Sequence, residues 1–200
     1  MKLYWCPKTR SIRILWLLEE TGLSYERLQI DIHNPKHKND PDLRHISPIN
    51  KMPAFEDGPV RLWDSGAITT YVADQYPEAG LAIEIGEPER GAYLQWILFT
   101  NSVIEPAMGE KFGKLPSNPS QYGWGGWDQM LTAFRSGVEK GPWVLGDRFT
   151  AADVLLGMSA HYLRQFGALT DDPILFSYAD RCAARPAFQR MLALEAAAGN

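Results

Sequence analysis

Strand-length apolar runs occupy only the first ~80 residues of this chain, and beyond them apolar residues recur at helical spacing alone. That asymmetry asks for two domains of different class. Residues 2–5 form a short apolar run ended by Pro7. Ser11, Ile14, Leu15, Leu18 and Gly22 then follow at helical intervals, with Gly22 a natural stop. Residues 25–32 resume strand character. The polar stretch 33–48 is broken by Pro35, Pro41 and Pro48 and leaves room for at most a short helix at 42–46. Residues 54–56 and 60–63 read as a hairpin about Asp57, Gly58 and Pro59. A helix over 65–76, with Ile68, Tyr71 and Val72 on one face, stops at Pro77. The order is βαβ, then ββα. Residues 77–88 read as a linker, and helices are expected over 89–111, 121–138, 150–166, 173–183 and 186–198. The expected architecture is an α/β domain over 1–78 followed by an all-helical domain over 87–200.

With 45% hydrophobic residues, 22% charged and seven Trp among 200, the chain can bury two cores and is not disordered. Twenty Lys and Arg against 24 Asp and Glu leave a net charge of -4, without the basic excess that a phosphate backbone demands, so nucleic acid is not an expected partner. No apolar run reaches the ~20 residues of a membrane span, and the first residues lack a signal-peptide core; both point to the cytoplasm and to no membrane partner. Cys6 and Cys182, near opposite ends of the chain, read as free thiols in a reducing compartment.

A few residues carry chemistry or imitate it. Pro53 opens a strand directly after the loop 47–52, where it must take an edge or first position because it cannot donate to the ladder. X-Pro bonds are cis in only ~5 to 6% of folded cases, so residue statistics alone favour a trans bond here. Asp64-Ser65 reads first as a plain helix cap. Thr150 and Asp153 form a capping box before the apolar face of Leu155, Met158, Ser159, Tyr162 and Phe166, a stability device. His33 and His37 have metal-like spacing only if helical, and Pro35 between them breaks that helix, so no metal is expected. Trp96, Phe99, Met108, Phe112 and Trp124 read as core, with Met108, Phe112 and Tyr162 the better candidates to line an apolar pocket.

Taken together, the βαβ-ββα order, the Cys6-Pro7-Lys8-Thr9-Arg10-Ser11 turn and the Met52-Pro53 strand start resemble the thioredoxin-like domain of glutathione transferases. The resemblance continues through Asp64-Ser65 and the capping segment Leu145-Gly146-Asp147-Arg148-Phe149-Thr150-Ala151-Ala152-Asp153, and so covers essentially the whole chain. Thr9-Arg10-Ser11 followed by Arg13-Ile14-Leu15-Trp16 is most similar to the bacterial and fungal branch in which a hydroxyl serves the thiol.

The resemblance implies a cytosolic homodimer that adds the thiolate of glutathione to hydrophobic electrophiles, with glutathione as co-substrate and the helical domain supplying most of the electrophile pocket. It implies a cis Met52–Pro53 bond, with the Met52 backbone pairing the cysteinyl unit of the tripeptide as an added strand. Asp64 would hold the ligand's ammonium, Ser65 its γ-glutamyl carboxylate, and His37, Lys38 and Lys51 the other carboxylate. A free thiol has a pKa near ~8.5, and lowering it by ~2 units takes ~2.7 kcal/mol of differential stabilisation. A hydroxyl at the start of the first helix, where the dipole also favours negative charge, can contribute to that. Thr9 matches the family's hydroxyl position best, and Ser11 is its rival. Cys6-Pro7 with Arg13 also resembles omega-type transferases and glutaredoxins, in which a cysteine here forms a mixed disulfide with glutathione; Thr9 occupies the place of a second CxxC cysteine, leaving only a monothiol route. A binding module without turnover is the third possibility on this fold.

Overall fold

The computed structural model describes residues 1–38, 40–169 and 171–198, except the side chain of Lys38. Its contacts divide the chain into two compact units, residues 1–79 with 184–200, and residues 80–183.

The first unit is built on four strands: β1 (Lys2–Trp5), β2 (Glu26–Gln29), β3 (Ala54–Asp57) and β4 (Val60–Trp63). They lie in the order β2-β1-β3-β4, with β1 and β2 parallel and the other pairs antiparallel. The parallel pair needs a crossover, which is α1 (Ile12–Thr21), closed by Gly22 in the left-handed conformation at φ 68°. Six of its apolar residues, Ile12, Ile14, Leu15, Trp16, Leu17 and Leu18, are buried, far more than one stripe. A helix apolar all round must be covered all round.

The cover on its second side is the last helix, α10, which is labelled once the helices before it are placed. In chain order these are α2 (Pro35–Lys38), α3 (Pro41–Ile46), α4 (Ser65–Gln75), α5 (Arg90–Phe99), α6 (Glu105–Gly113), α7 (Trp127–Val138), α8 (Ala151–Gln165), α9 (Pro173–Ala183) and α10 (Pro186–Ala198). Phe188 of α10 meets Trp16 edge-on with ring centroids 4.8 Å apart, and Arg185 grips Glu20 through two hydrogen bonds of 2.6 and 2.8 Å. The grouping therefore differs from the expected helical domain over 87–200: residues 184–200 belong with the sheet, because α1 has a second apolar side to bury.

The second unit is helical. The expected single helix over 89–111 is α5 and α6 joined by a π-helical turn, Thr100–Ile104. Pro106 has no N–H to offer the preceding turn, and the Glu105 N–H reaches back to the Thr100 carbonyl, one residue further than in an α-helix. The helix expected over 121–138 starts only at Trp127, since Gly125 and Gly126 take φ of 77° and 126°. Residues 77–88 are not a bare linker: Leu81, Ala82 and Ile83 are buried, and the Leu81 carbonyl accepts from Ala151 N–H at 2.9 Å. The Thr150–Asp153 box opens α8, with the Asp153 carboxylate accepting from Thr150 N–H (3.0 Å), Val144 N–H (2.9 Å) and the Tyr178 hydroxyl (2.8 Å). Among the described residues no helix is long and apolar enough to cross a membrane.

Candidate functional site

Register brings three chain segments to one end of the sheet. Ala54 pairs with Tyr4 on one side and with Trp63 on the other, so Trp5-Cys6, Met52-Pro53 and Asp64-Ser65 all leave their strands at the same end. The Met52–Pro53 peptide bond is cis, as the resemblance implies. Pro53 lies just outside β3, an inner strand, so its missing N–H removes nothing from the ladder.

Met52 is held from behind. Its side chain packs with Cys6, Leu43, Ile46 and Ala54 in a buried cluster. The loop before it is pinned by the buried Ser47 hydroxyl, which donates to the Lys51 carbonyl at 2.7 Å and accepts from the Lys51 N–H at 3.2 Å. Among the described residues, no hydrogen bond uses the Met52 N–H or carbonyl. Both remain available to pair an incoming strand.

A cleft of about 510 Å³ lies beside this segment, lined by Thr9, Arg10, Ile32, His33, Ile49, Asn50, Lys51 and Met52. Of the residues singled out from sequence, Thr9, Lys51 and Met52 stand in its wall. His37 does not: its Nδ1 accepts from the Asp31 N–H at 3.0 Å. Lys38 ends α2, and its side chain lies outside the described residues. Among the described residues, the basic side chains that do line the cleft are Arg10, His33 and Lys51. Arg10 and His33 were missed by the sequence reading; the signal available was only their place in the two loops that follow β1 and β2 at one end of a parallel pair. Pro35 begins α2, so His33 stands outside that helix and is not stacked over His37. Among the described residues no group of three or more His, Cys, Asp and Glu lies close enough to hold a metal ion.

The two hydroxyls are distinguished by exposure. Thr9 is half-buried and faces the cleft, whereas Ser11 is wholly buried. Thr9 Oγ1 lies 2.7 Å from the Cys6 carbonyl and 2.8 Å from Ser11 Oγ, and Ser11 Oγ lies 2.9 Å from the same carbonyl and accepts from the Cys6 N–H at 3.0 Å. The Cys6 side chain points into the core cluster and takes no part in the cleft lining. Thr9 and Ser11 lie just before the first turn of α1, at the end of the helix whose dipole favours negative charge.

Asp64 and Ser65 start α4 outside that lining. Asp64 Oδ1 accepts from Gly66 N–H at 2.9 Å and Ala67 N–H at 3.1 Å, at a backbone φ of 82°. A non-glycine residue held there costs ~1 to 3 kcal/mol, strain that concentrates at ligand-binding positions. In the helical unit, Phe112 lines a separate cleft of about 520 Å³ with Trp127, Leu131 and Phe166, while Met108 and Tyr162 are buried and not part of its wall.

A family model described as the glutathione S-transferase N-terminal domain matches residues 1–74. The chain is 26% identical over 200 residues to a glutathione S-transferase of Hyoscyamus muticus, covering 90% of this chain and 92% of that one. It is 27% identical over 199 residues to the disulfide-bond oxidoreductase YfcG of Escherichia coli strain K12, covering 92% and 91%. Among solved structures, a sphingomonad glutathione S-transferase complexed with glutathione superposes with a TM-score of 0.81 at 26% identity, covering 98% of this chain and 99% of that one.

Proposed function

We propose that this chain is a glutathione transferase, as the match of its first 74 residues and the similarity along its length support, and that it joins the sulfur of glutathione to hydrophobic electrophiles at the cleft beside Met52. It is a transferase enzyme. The observation that carries the reading is the convergence at one sheet end of the Thr9 hydroxyl on a helix start, the Met52 backbone and the capped N-terminus of α4.

Each group matches a part of the tripeptide. The Met52 N–H and carbonyl pair its cysteinyl unit, and Ser65, through its hydroxyl and its own amide at the start of α4, holds the γ-glutamyl carboxylate. Asp64 faces the ammonium. Lys51 takes the glycyl carboxylate, and Arg10 and His33 replace His37 and Lys38 as its neighbours. Thr9 donates a hydrogen bond to the sulfur. The thiol releases its proton to solvent and the thiolate attacks the electrophilic carbon. A C–S bond then forms as the leaving group departs or, at an activated double bond, as water supplies a proton. Holding both reactants and favouring thiolate supply the acceleration. The reading calls on no metal, and the expected homodimer belongs to it on the resemblance.

Similarity to the E. coli oxidoreductase supports a second reading at the same site, in which bound glutathione thiolate attacks a disulfide sulfur, forms a mixed disulfide and expels a thiolate. The variant of it that uses Cys6 as nucleophile is disfavoured by the burial of that side chain. Calorimetry with glutathione, followed by steady-state conjugation and disulfide-reduction assays, separates these readings. Thr9→Val is expected to lower conjugation kcat ~10- to 100-fold, the effect of one to two units of lost thiol acidity, with Cys6→Ala nearly unchanged. Full activity in Thr9→Val would remove Thr9 from the mechanism. Activity lost in Cys6→Ala alone would establish the monothiol route, and uptake of glutathione without turnover would leave a binding module.

A further inference from the structure

We propose that Ser11 is a positioning residue that orients the Thr9 hydroxyl toward the sulfur of bound glutathione; this rests on the transferase reading above. Three oxygens, Thr9 Oγ1, Ser11 Oγ and the Cys6 carbonyl, form a triangle with edges of 2.7, 2.8 and 2.9 Å. Each edge is short enough for a hydrogen bond, yet the two hydroxyls own only two protons. At least one edge is therefore always without a proton, and the arrangement has more than one proton pattern at nearly fixed heavy-atom positions.

Two patterns matter. In the first, Thr9 donates to the Cys6 carbonyl, its shortest contact, and no hydroxyl proton faces the cleft. In the second, the Cys6 N–H donates to Ser11 Oγ, Ser11 donates to Thr9 Oγ1, and Thr9 donates to the sulfur. This is a single chain of donors running from a backbone amide to the thiolate, each link polarising the next. A neutral thiol is a weak acceptor and competes poorly with the carbonyl for the Thr9 proton. A thiolate is charged, and hydrogen bonds to charged acceptors are roughly twice as strong, so ionisation selects the second pattern. Ser11 makes that selection favourable because its proton occupies a lone pair of Thr9 Oγ1 on the side away from the cleft. No proton passes along the chain: each hydroxyl keeps its own and the thiol proton leaves to solvent.

Burial explains why Ser11 acts through Thr9 and not directly. Ser11 is completely enclosed and absent from the cleft wall, so the sulfur reaches Thr9 first. Charged and titratable groups on the surrounding segments include Lys8 and the buried Arg13 on either side of the pair in sequence, Arg10, His33 and Lys51 in the cleft lining, the Cys6 thiol in the core cluster, and Glu195 of α10, whose Oε1 accepts from the Lys8 N–H at 2.7 Å. None is altered by substitutions at Ser11, which holds their field constant.

The test reads the ionisation of glutathione on the protein by its ultraviolet thiolate absorbance against pH, together with kcat against pH. Ser11→Ala should raise the bound thiol's pKa by ~0.5 to 1 unit and lower kcat ~3- to 10-fold below that pKa, with the Kd of glutathione little changed. Ser11→Cys keeps the side chain's connectivity, with a somewhat larger atom, but is a weak donor, and should give the same rise if the alanine variant does not fold. Ser11→Thr, which retains the hydroxyl, should restore the wild-type profile. An unmoved thiol pKa in a folded Ser11→Cys or Ser11→Ala protein that still takes up glutathione overturns the role of Ser11 alone. Failure of the wild-type protein to take up glutathione would instead overturn the transferase reading and this proposal with it.

Discussion

Asp64 shows how much one residue can be asked to do at this sheet end. Its carboxylate closes the first turn of α4 while its backbone stands at a φ of 82°, a conformation that a side chain adopts only when its surroundings enforce it. Asp64→Asn keeps an oxygen for the Gly66 and Ala67 amides but loses the charge proposed to face the ligand's ammonium. Stability in urea should therefore stay close to wild type while the KM for glutathione rises several-fold. Asp64→Ala should lose ~1 kcal/mol of stability as well, the usual cost of a missing cap. Equal KM values in all three proteins would take the ammonium contact away from Asp64. The Asp64-Ser65 pair could be named from sequence because a cap signature is local. Its strained φ could not, because it is imposed by where β4 ends and α4 begins.

Among the elements, the hairpin of β3 and β4 is tied to α4 through a single carboxylate. Asp57 accepts from the hydroxyls of Tyr71 (3.1 Å) and Tyr76 (2.6 Å). Tyr76 is pushed up to about 12, first by its hydrogen bond to Asp57 and then by burial, and Tyr71 is raised mainly by burial. A phenol whose folded value lies above its unfolded value binds its proton more tightly when folded. Its contribution to stability is therefore complete below the unfolded value near ~10 and is lost as pH climbs toward about 12. Asp57→Asn should move both phenols back toward their ordinary value in an absorbance titration and flatten that alkaline loss of stability. Unmoved phenol titrations would show that the carboxylate is not the cause. The hairpin and α4 were readable from turn residues and periodicity, while their tether, between residues 14 and 19 positions apart, was not.

For the molecule as a whole, α10 completes the unit that holds the cleft beside Met52, although it comes last in the chain. Phe188 is fully buried against Trp16, and Arg190 adds a hydrogen bond to Glu19 at 2.8 Å. Phe188→Ala should cost ~3 to 5 kcal/mol in chemical denaturation, as for other large aromatic residues removed from a core. A loss below ~1 kcal/mol would mean that α10 is a loose appendage. Periodicity, proline and glycine determined the kinds and order of the elements, down to helices 173–183 and 186–198 that begin on Pro173 and Pro186. Those signals act within a turn or two of chain. Three things were decided only by folding: the home of α10, the basic side chains of Arg10 and His33 at the cleft, and the partial exposure of Thr9 with the enclosure of Ser11. Each depends on which distant surfaces meet, and a face that is apolar on both sides does not say what will cover it.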